Sequence, residues 1–239
     1  MNTDKLRSLW KTVFGDTDAF LDSFFSVAYS PERCRYLTAG DDVVSALYWF
    51  DCEYEGGKLA YLYAVATDPN HRGKGLASQL LKKTHDHLKN TGYAGAVLKP
   101  ANGLFPFYER LGYQTSGYLR RFSASAGDPV VLTELSPEEF GHRRREFLPK
   151  GSVLQEGLTL EFLHNFAHFY ASDDALICAC PQEKVIFEYL GNPDSAPGIL
   201  GTLGIAEAEI PTLGAAIPHT MFLPLNCAKV PGYLGLTLE

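Results

Sequence analysis

Residues 58–90, KLAYLYAVATDPNHRGKGLASQLLKKTHDHLKN, constrain the fold more than any other stretch of the chain. The first part is rich in aromatic and β-branched residues and reads as a strand ending near Thr67. After the glycines the period changes. Leu76, Ala77, Leu80, Leu81, Thr84 and Leu88 line one face of a helix, and Lys82, Lys83, Asp86 and Lys89 take the other. The turn between strand and helix is Arg72-Gly73-Lys74-Gly75. The unpaired N–H groups of a helix's first turn, with the helix dipole, make an anion site, and glycines let an anion approach the backbone. Arg72 and Lys74 add positive charge at its mouth.

Two phosphate loops are excluded by spacing. A Walker loop needs a second glycine followed directly by Lys and Ser or Thr, whereas Lys74 lies between the glycines. A dinucleotide fingerprint needs a third glycine where Ser78 stands, and no βαβ unit surrounds it.

Around this unit the chain reads as helix, helix, three strands, helix, strand, helix, strand. Leu6, Leu9, Trp10, Val13 and Phe14 form one helical stripe with Gly15 at the C-cap. A second helix is expected in DAFLDSFFSVAYS. CRYLTAG, VVSALYWFDCEYE and KLAYLYAVAT, separated by Gly40-Asp41-Asp42 and Gly56-Gly57, read as an antiparallel meander. YAGAVLKPA is a further strand, GLFPFYERLG a short helix and YQTSGYLRRFSA another strand.

The small, polar SASAGD (Ser123 to Asp128) is the expected domain boundary. Beyond it come a strand (Val130 to Leu135) and a helix opened by Ser136-Pro137-Glu138-Glu139. A second helix is expected around Leu160 to Tyr170, then the strands DALICAC and KVIFEYLG and a glycine-rich tail with β-like pieces.

Composition limits the function classes. At 239 residues the chain suits two modest domains, and 46% hydrophobic with 21% charged residues supplies an ordinary core. A net charge of -7 disfavours nucleic acid as partner. The N-terminus lacks a basic-then-apolar leader, and no apolar run approaches the roughly 18 residues of a membrane span. Cys34, Cys52, Cys178, Cys180 and Cys227 lack a zinc-knuckle pattern and read as reduced thiols of a cytoplasmic protein.

Arg72-x-x-Gly75-x-Ala77 after a strand, with Pro69 upstream and FYERLGY (Phe107 to Tyr113) downstream, resembles the GNAT family of N-acetyltransferases. The resemblance covers residues 1–123. It implies an α/β domain of the GNAT acyl-CoA N-acyltransferase fold, a mixed twisted sheet flanked by helices. Residues 124–239 follow a contracted version of the same order without the loop. They are expected to be a second, smaller GNAT-like α/β domain, a degenerate copy as in tandem acetyltransferases, including those of the enhanced-intracellular-survival type.

By that resemblance acetyl-coenzyme A is the co-substrate, no metal is needed, and Arg72, Gly73, Lys74, Gly75, Leu76, Ala77 and Ser78 cradle its pyrophosphate. The backbone of Val65, Ala66 and Thr67 pairs with the pantetheine amides. Asn102 either faces the cofactor arm or caps its own loop. Tyr108 matches the tyrosine placed beside the cofactor sulfur, where a phenol can return a proton to the departing thiolate.

The general base stays unassigned. Where family members often carry a carboxylate, KLAYLYAVAT has none; Glu53 and Glu55, or Tyr61 and Tyr63, could pass a proton through water, or be a hairpin end and a pocket wall. His164 and His168, one helical turn apart in HNFAH, lack the glutamate of a zinc-protease helix and read as polar surface. HRRRE (His142 to Glu146) reads as a solvated helix face.

The function these residues imply is acetyl transfer to a primary amine of a small molecule or peptide, acting as monomer or homodimer. An acidic protein would attract polyamines, aminoglycosides or basic peptides. The alternative is a non-catalytic acyl-coenzyme A binder with a partner-binding C-terminal module.

Overall fold

The stripe of Leu6, Leu9 and Trp10 is the buried face of α1 (Thr3–Phe14) in the computed structural model, which describes residues 3–227 and 229–238. Gly15, at φ 76°, closes the helix and returns its N–H to the Lys11 carbonyl at 3.0 Å. The Thr17 hydroxyl caps α2 (Asp18–Ser23) by accepting from the Phe20 N–H. The helix then widens into a π-helical turn, Phe24–Ala28, closed by Tyr29 N–H to the Phe24 carbonyl at 2.9 Å.

By its contacts the chain divides into two units, Met1–Gln114 with Met221–Val230, and Thr115–Thr220 with Pro231–Glu239. The first unit is built on a mixed sheet. β1 (Cys34–Ala39), β2 (Asp42–Tyr54) and β3 (Gly57–Thr67) form an antiparallel meander. α3 (Leu76–Asn90) crosses over to β4 (Gly95–Leu98), which is parallel to β3. Met221, Phe222, Leu223 and Pro224, the end of β11 (Ile217–Pro224), pair antiparallel to β4.

Helices cover this sheet on both faces, so β2 is buried from Val43 to Phe50 rather than alternating. Leu47 and Trp49 pack with Leu80, Leu81 and Leu88 of α3 on one face. On the other, Tyr48 and Phe50 meet Phe24 at ring distances of 5.1 and 6.4 Å, and Trp10 lies 5.1 Å from Tyr48. α4 (Phe105–Glu109) follows β4.

The second unit is likewise built on mixed strands and matches the expected α/β class. Its strand order is β5 (Gln114–Ser125, from Thr115 on), β10 (Glu207–Leu213), β9 (Val185–Gly191), β8 (Ala175–Cys180), β7 (His168–Ala171) and β6 (Thr133–Leu135). β9 and β10 run parallel and the other pairs antiparallel. α7 (Ala196–Leu203) packs closely on residues 127–130: a Cβ at Gly201 would sit 2.2 Å from the Gly127 carbonyl oxygen. All five cysteines are free thiols, and no helix among the described residues is long and apolar enough to cross a membrane.

Two expectations for this unit are corrected. The helix expected around Leu160 to Tyr170 is α6 (Leu158–Leu163), and it stops early because the Asn165 amide binds the Glu161 and Phe162 carbonyls. His168 therefore lies on β7, where Phe169 and Ala171 are buried and His168 and Tyr170 are not. HRRRE is not wholly solvated either. In α5 (Pro137–Phe147), which starts with the expected Ser136–Glu139 capping box, Arg144 is buried. Its guanidinium makes two bonds to Glu188 on β9, at 2.6 and 2.8 Å, and Glu188 is 1% exposed.

Such a pair is costly to break from one side, because the remaining charge stays buried without a partner. Glu188→Gln is expected to destabilise the protein by about 3 kcal/mol or more in urea unfolding. Replacing both members, as Arg144→Met with Glu188→Leu, should restore much of that loss.

Candidate functional site

The end of β3 and the start of α3 are joined by a turn whose geometry explains its residues. Asp68 caps a short 3-10 turn, Pro69–His71, accepting from the Asn70 N–H at 2.8 Å and lying 3.0 Å from His71 Nδ1. Gly73 and Gly75 both have φ of 76°, and a Cβ at either would meet nothing within 4 Å. Glycine is required there by backbone conformation, and the space in front of it is open. Gly75 is the N-cap of α3 and has no side chain with which to cap it, so the first-turn N–H groups keep their capacity for a ligand.

Arg72 Nε donates to the Thr67 carbonyl and Lys74 Nζ to the Asn70 carbonyl, each at 3.3 Å, which keeps both cations at the loop. Thr67, Arg72, Gly73, Gly75, Leu76, Ala77 and Ser78 line one cleft of about 220 Å³, joined by His71 and Phe107. His71 has no motif of its own to mark it, and Phe107 opens the FYERLGY motif but is not singled out by it as a site residue.

β3 itself prepares the approach. Its pairing with β4 stops at Tyr61 opposite Val97, yet β3 runs on to Thr67. Among the described residues, positions 62–67 therefore have no β4 partner along that edge. The register with β2 slips between Ala46 and Tyr48, and Ala64 is forced to φ 49°. A non-glycine residue in that region is strained by about 1 kcal/mol, a cost found most often at binding sites. The Ser45 hydroxyl donates to the Ala66 carbonyl at 2.8 Å and lies 3.0 Å from the Thr67 hydroxyl, which fixes the strand end. Val65 packs on the α3 side of the sheet.

Tyr108, on α4, is 5% exposed. Burial alone pushes its hydroxyl up to about 12. Its ring packs edge-on to Phe107 at 5.0 Å and to Tyr113 at 5.6 Å. Tyr113 in turn is held by His85 of α3, whose Nε2 lies 2.8 Å from the Tyr113 hydroxyl, and the Tyr113 N–H donates to the Tyr108 carbonyl. Burial pulls His85 down to about 4, so it is the neutral imidazole at pH 7.

The remaining candidates lie elsewhere. Asn102 is exposed in the turn after β4 and does not line the cleft. Glu55 sits in the β2–β3 hairpin and pairs with Lys229 at 2.6 Å, and Glu53 is exposed near the end of β2. Tyr61 is buried and Tyr63 half-buried, both on the face covered by α1 and α2, and burial raises the Tyr63 hydroxyl. No group of metal-ligating side chains occurs among the described residues.

A strand that parts from its neighbour, a glycine loop at the uncapped start of the next helix and a buried phenol meet in one α/β domain. The comparisons name its kind. Residues 2–116, a little under half of the chain, match the acetyltransferase (GNAT) domain.

Solved structures extend the likeness in fold to most of the chain. A GCN5-related N-acetyltransferase from Kribbella flavida is 17% identical with a TM-score of 0.67, covering 93% of this chain and 69% of that one. One from Anabaena variabilis is 14% identical with a TM-score of 0.69, covering 94% and 71%. Eis1 from Mycobacterium abscessus is 12% identical with a TM-score of 0.63, covering 94% and 72%. No curated protein sequence matches the chain.

Two outcomes follow from this geometry. Gly75→Asp is expected to fold with a loss of about 1 kcal/mol for its positive φ. It should also lose the binding of coenzyme A, which calorimetry of the unmodified chain should show at one site. The second outcome concerns His85, whose folded value of about 4 lies below its ordinary 6.5. The unfolded chain takes up this proton first as pH falls, so stability present above pH 6.5 is lost between about 6.5 and 4, by up to about 3 kcal/mol. Urea unfolding across that range should show the slope, and His85→Gln should flatten it.

Proposed function

We propose that the protein is an N-acetyltransferase that moves an acetyl group from acetyl-coenzyme A to a primary amine. The observation that supports this most is the open space in front of Gly73 and Gly75, at the N-terminus of α3 and beside the free edge of β3. A diphosphate fits that space. The N–H groups at the start of α3 would bind its oxygens, and Arg72 and Lys74 would offset its charge. The unpaired edge along Val65, Ala66 and Thr67 would take the amides of the pantetheine arm as a strand would.

Acetyl-coenzyme A, when bound, supplies a thioester carbon that the acceptor's nitrogen attacks. The chain's own residues then have three tasks. The loop orients the donor, the apolar ring of Phe107 shields one side of the cleft, and Tyr108 offers a proton where the thiolate departs. A thiol near 8.5 and a phenol near 12 make full proton transfer uphill by about 5 kcal/mol, so Tyr108 acts chiefly as a hydrogen-bond donor to developing charge. It stays protonated through the physiological range and needs no partner to keep it so. We read residues 124–239 as the GNAT-like half without a donor loop, and the donor stoichiometry as one per chain.

Acetyl-coenzyme A at about a hundred times its dissociation constant should add roughly 2.7 kcal/mol to stability. The melting temperature should rise accordingly, with NADH and ATP at equal concentration doing much less. Tyr108→Phe should keep this shift while turnover falls by about a hundredfold, the low end of general-acid effects. Free-thiol release with a panel of amines measures it. Unchanged turnover would remove Tyr108 from the chemistry, and equal shifts for all three nucleotides would reduce the loop to a general anion site.

A further inference from the structure

On the face of the first sheet opposite α3, the aromatic cluster has an open, acidic rim. Trp10 anchors it, with ring distances of 4.6 Å to Phe24 and 5.7 Å to Tyr63. The π-helical turn delivers Phe24 and Phe25 side by side, and Tyr29 lies 5.0 Å from Phe25. Phe25, Tyr29 and Tyr63 are only half-buried, and Phe14 is 43% exposed. At the centre Tyr48 is 3% exposed, and its hydroxyl has no hydrogen-bond partner. A buried donor left unmade is expensive, and a ligand that accepts from it relieves the cost.

Charge at the rim is unevenly spent. Three carboxylates stand in the connection between α1 and α2 or on α2 itself. Lys11 neutralises Asp18 and Arg7 neutralises Asp22. Asp16 is half-buried, and its Oδ2 accepts from Trp10 Nε1 at 2.7 Å. Among the described residues no cation pairs with it. It lies close enough to Tyr63 for its charge to raise that hydroxyl further. Arg7 already sits over the Phe25 ring at 5.3 Å, so these rings accept a cation at their faces.

Position ties this rim to the reaction. Tyr63 stands on β3 beyond the last β4 pair and just before the Ala64 slip, on the side away from the α3 packing. An amine at Tyr63 would therefore reach the free edge from the face opposite α3. We propose that Asp16, held by the Trp10 indole, binds the ammonium of the acceptor, and that the acceptor is a monoamine with an aromatic or compact apolar body. This rests on the transferase reading of the same unit. A polyamine or aminoglycoside needs several free carboxylates, and here one is free while its neighbours are already paired. Rings on several sides favour a flat apolar body behind a single cation.

Calorimetry on the unmodified chain, without acyl donor, tests this with phenethylamine, 2-phenylethanol and spermidine. Phenethylamine should bind about tenfold or more tightly than either of the others, the gain expected of a charged hydrogen bond. Asp16→Asn keeps an acceptor for the Trp10 N–H, and it should erase the advantage over 2-phenylethanol while coenzyme A binding is unchanged. Spermidine binding as tightly as phenethylamine, no preference over the alcohol, no binding of phenethylamine, or full affinity in Asp16→Asn would each overturn the proposal. If the variant does not fold, the three-ligand comparison decides alone. Amine binding without any thiol release would instead fell the transferase reading and leave the amine site standing.

Discussion

The early parting of β3 from β4 is the constraint on which the first unit depends. Parallel strands joined by a crossover helix would ordinarily pair along their shared length, and here they stop at Tyr61 and Val97. Everything chemical gathers where they separate. The unpaired edge continues into the loop, the loop into the uncapped N-terminus of α3, and α4 carries Tyr108 into the same core through Tyr113 and His85. Unpaired backbone in a folded protein must find water or a ligand, so the separation itself is a statement about binding.

The slip at Ala64 shows how the separation is held. Ser45 grips the strand end on the β2 side, and the extra residue re-aims the chain toward the loop. The strained φ of 49° is tolerated because neighbours on β2 over-determine it.

Much of this was legible in the residues. The period change across Gly73 and Gly75, the Gly15 helix end and the Ser136 helix start are local signals, and local signals survive without tertiary context. The FYERLGY motif marked Tyr108 through resemblance, and burial explains why its neighbours are aromatic. What was hidden depends on partners distant in sequence. Arg144 looks solvated in HRRRE until Glu188 is brought beneath it. Residues 168–171 are too short a run to show period 2 beside a helix-like Leu160, Phe162 and Leu163. Ala64 carries no sign of positive φ, because alanine, unlike glycine or asparagine, has no preference for that region. Asp16 hides as an ordinary linker acid until Lys11 and Arg7 are seen to take its neighbours.

The return of residues 221–230 to the first unit has a consequence for how the protein is made. Met221, Phe222, Leu223 and Pro224 cover the edge of β4, Leu225 and Asn226 both donate to the Ala94 carbonyl at 3.0 Å, and the Asn226 side chain ties down the end of α3 through Lys89. A ribosome that has released the first 114 residues has therefore made every loop and side chain of the proposed donor site, but not the strand that closes its sheet. During synthesis of residues 115–220, β4 is a bare edge, the kind of surface on which chains pair with the wrong partner. Closure waits for a segment made after β5 to β10, and the search that brings it home spans a long loop. The maturation of the first unit is thus timed by the synthesis of residues 115–220, and a nascent chain stalled before Met221 holds its β3–α3 loop on an unfinished sheet.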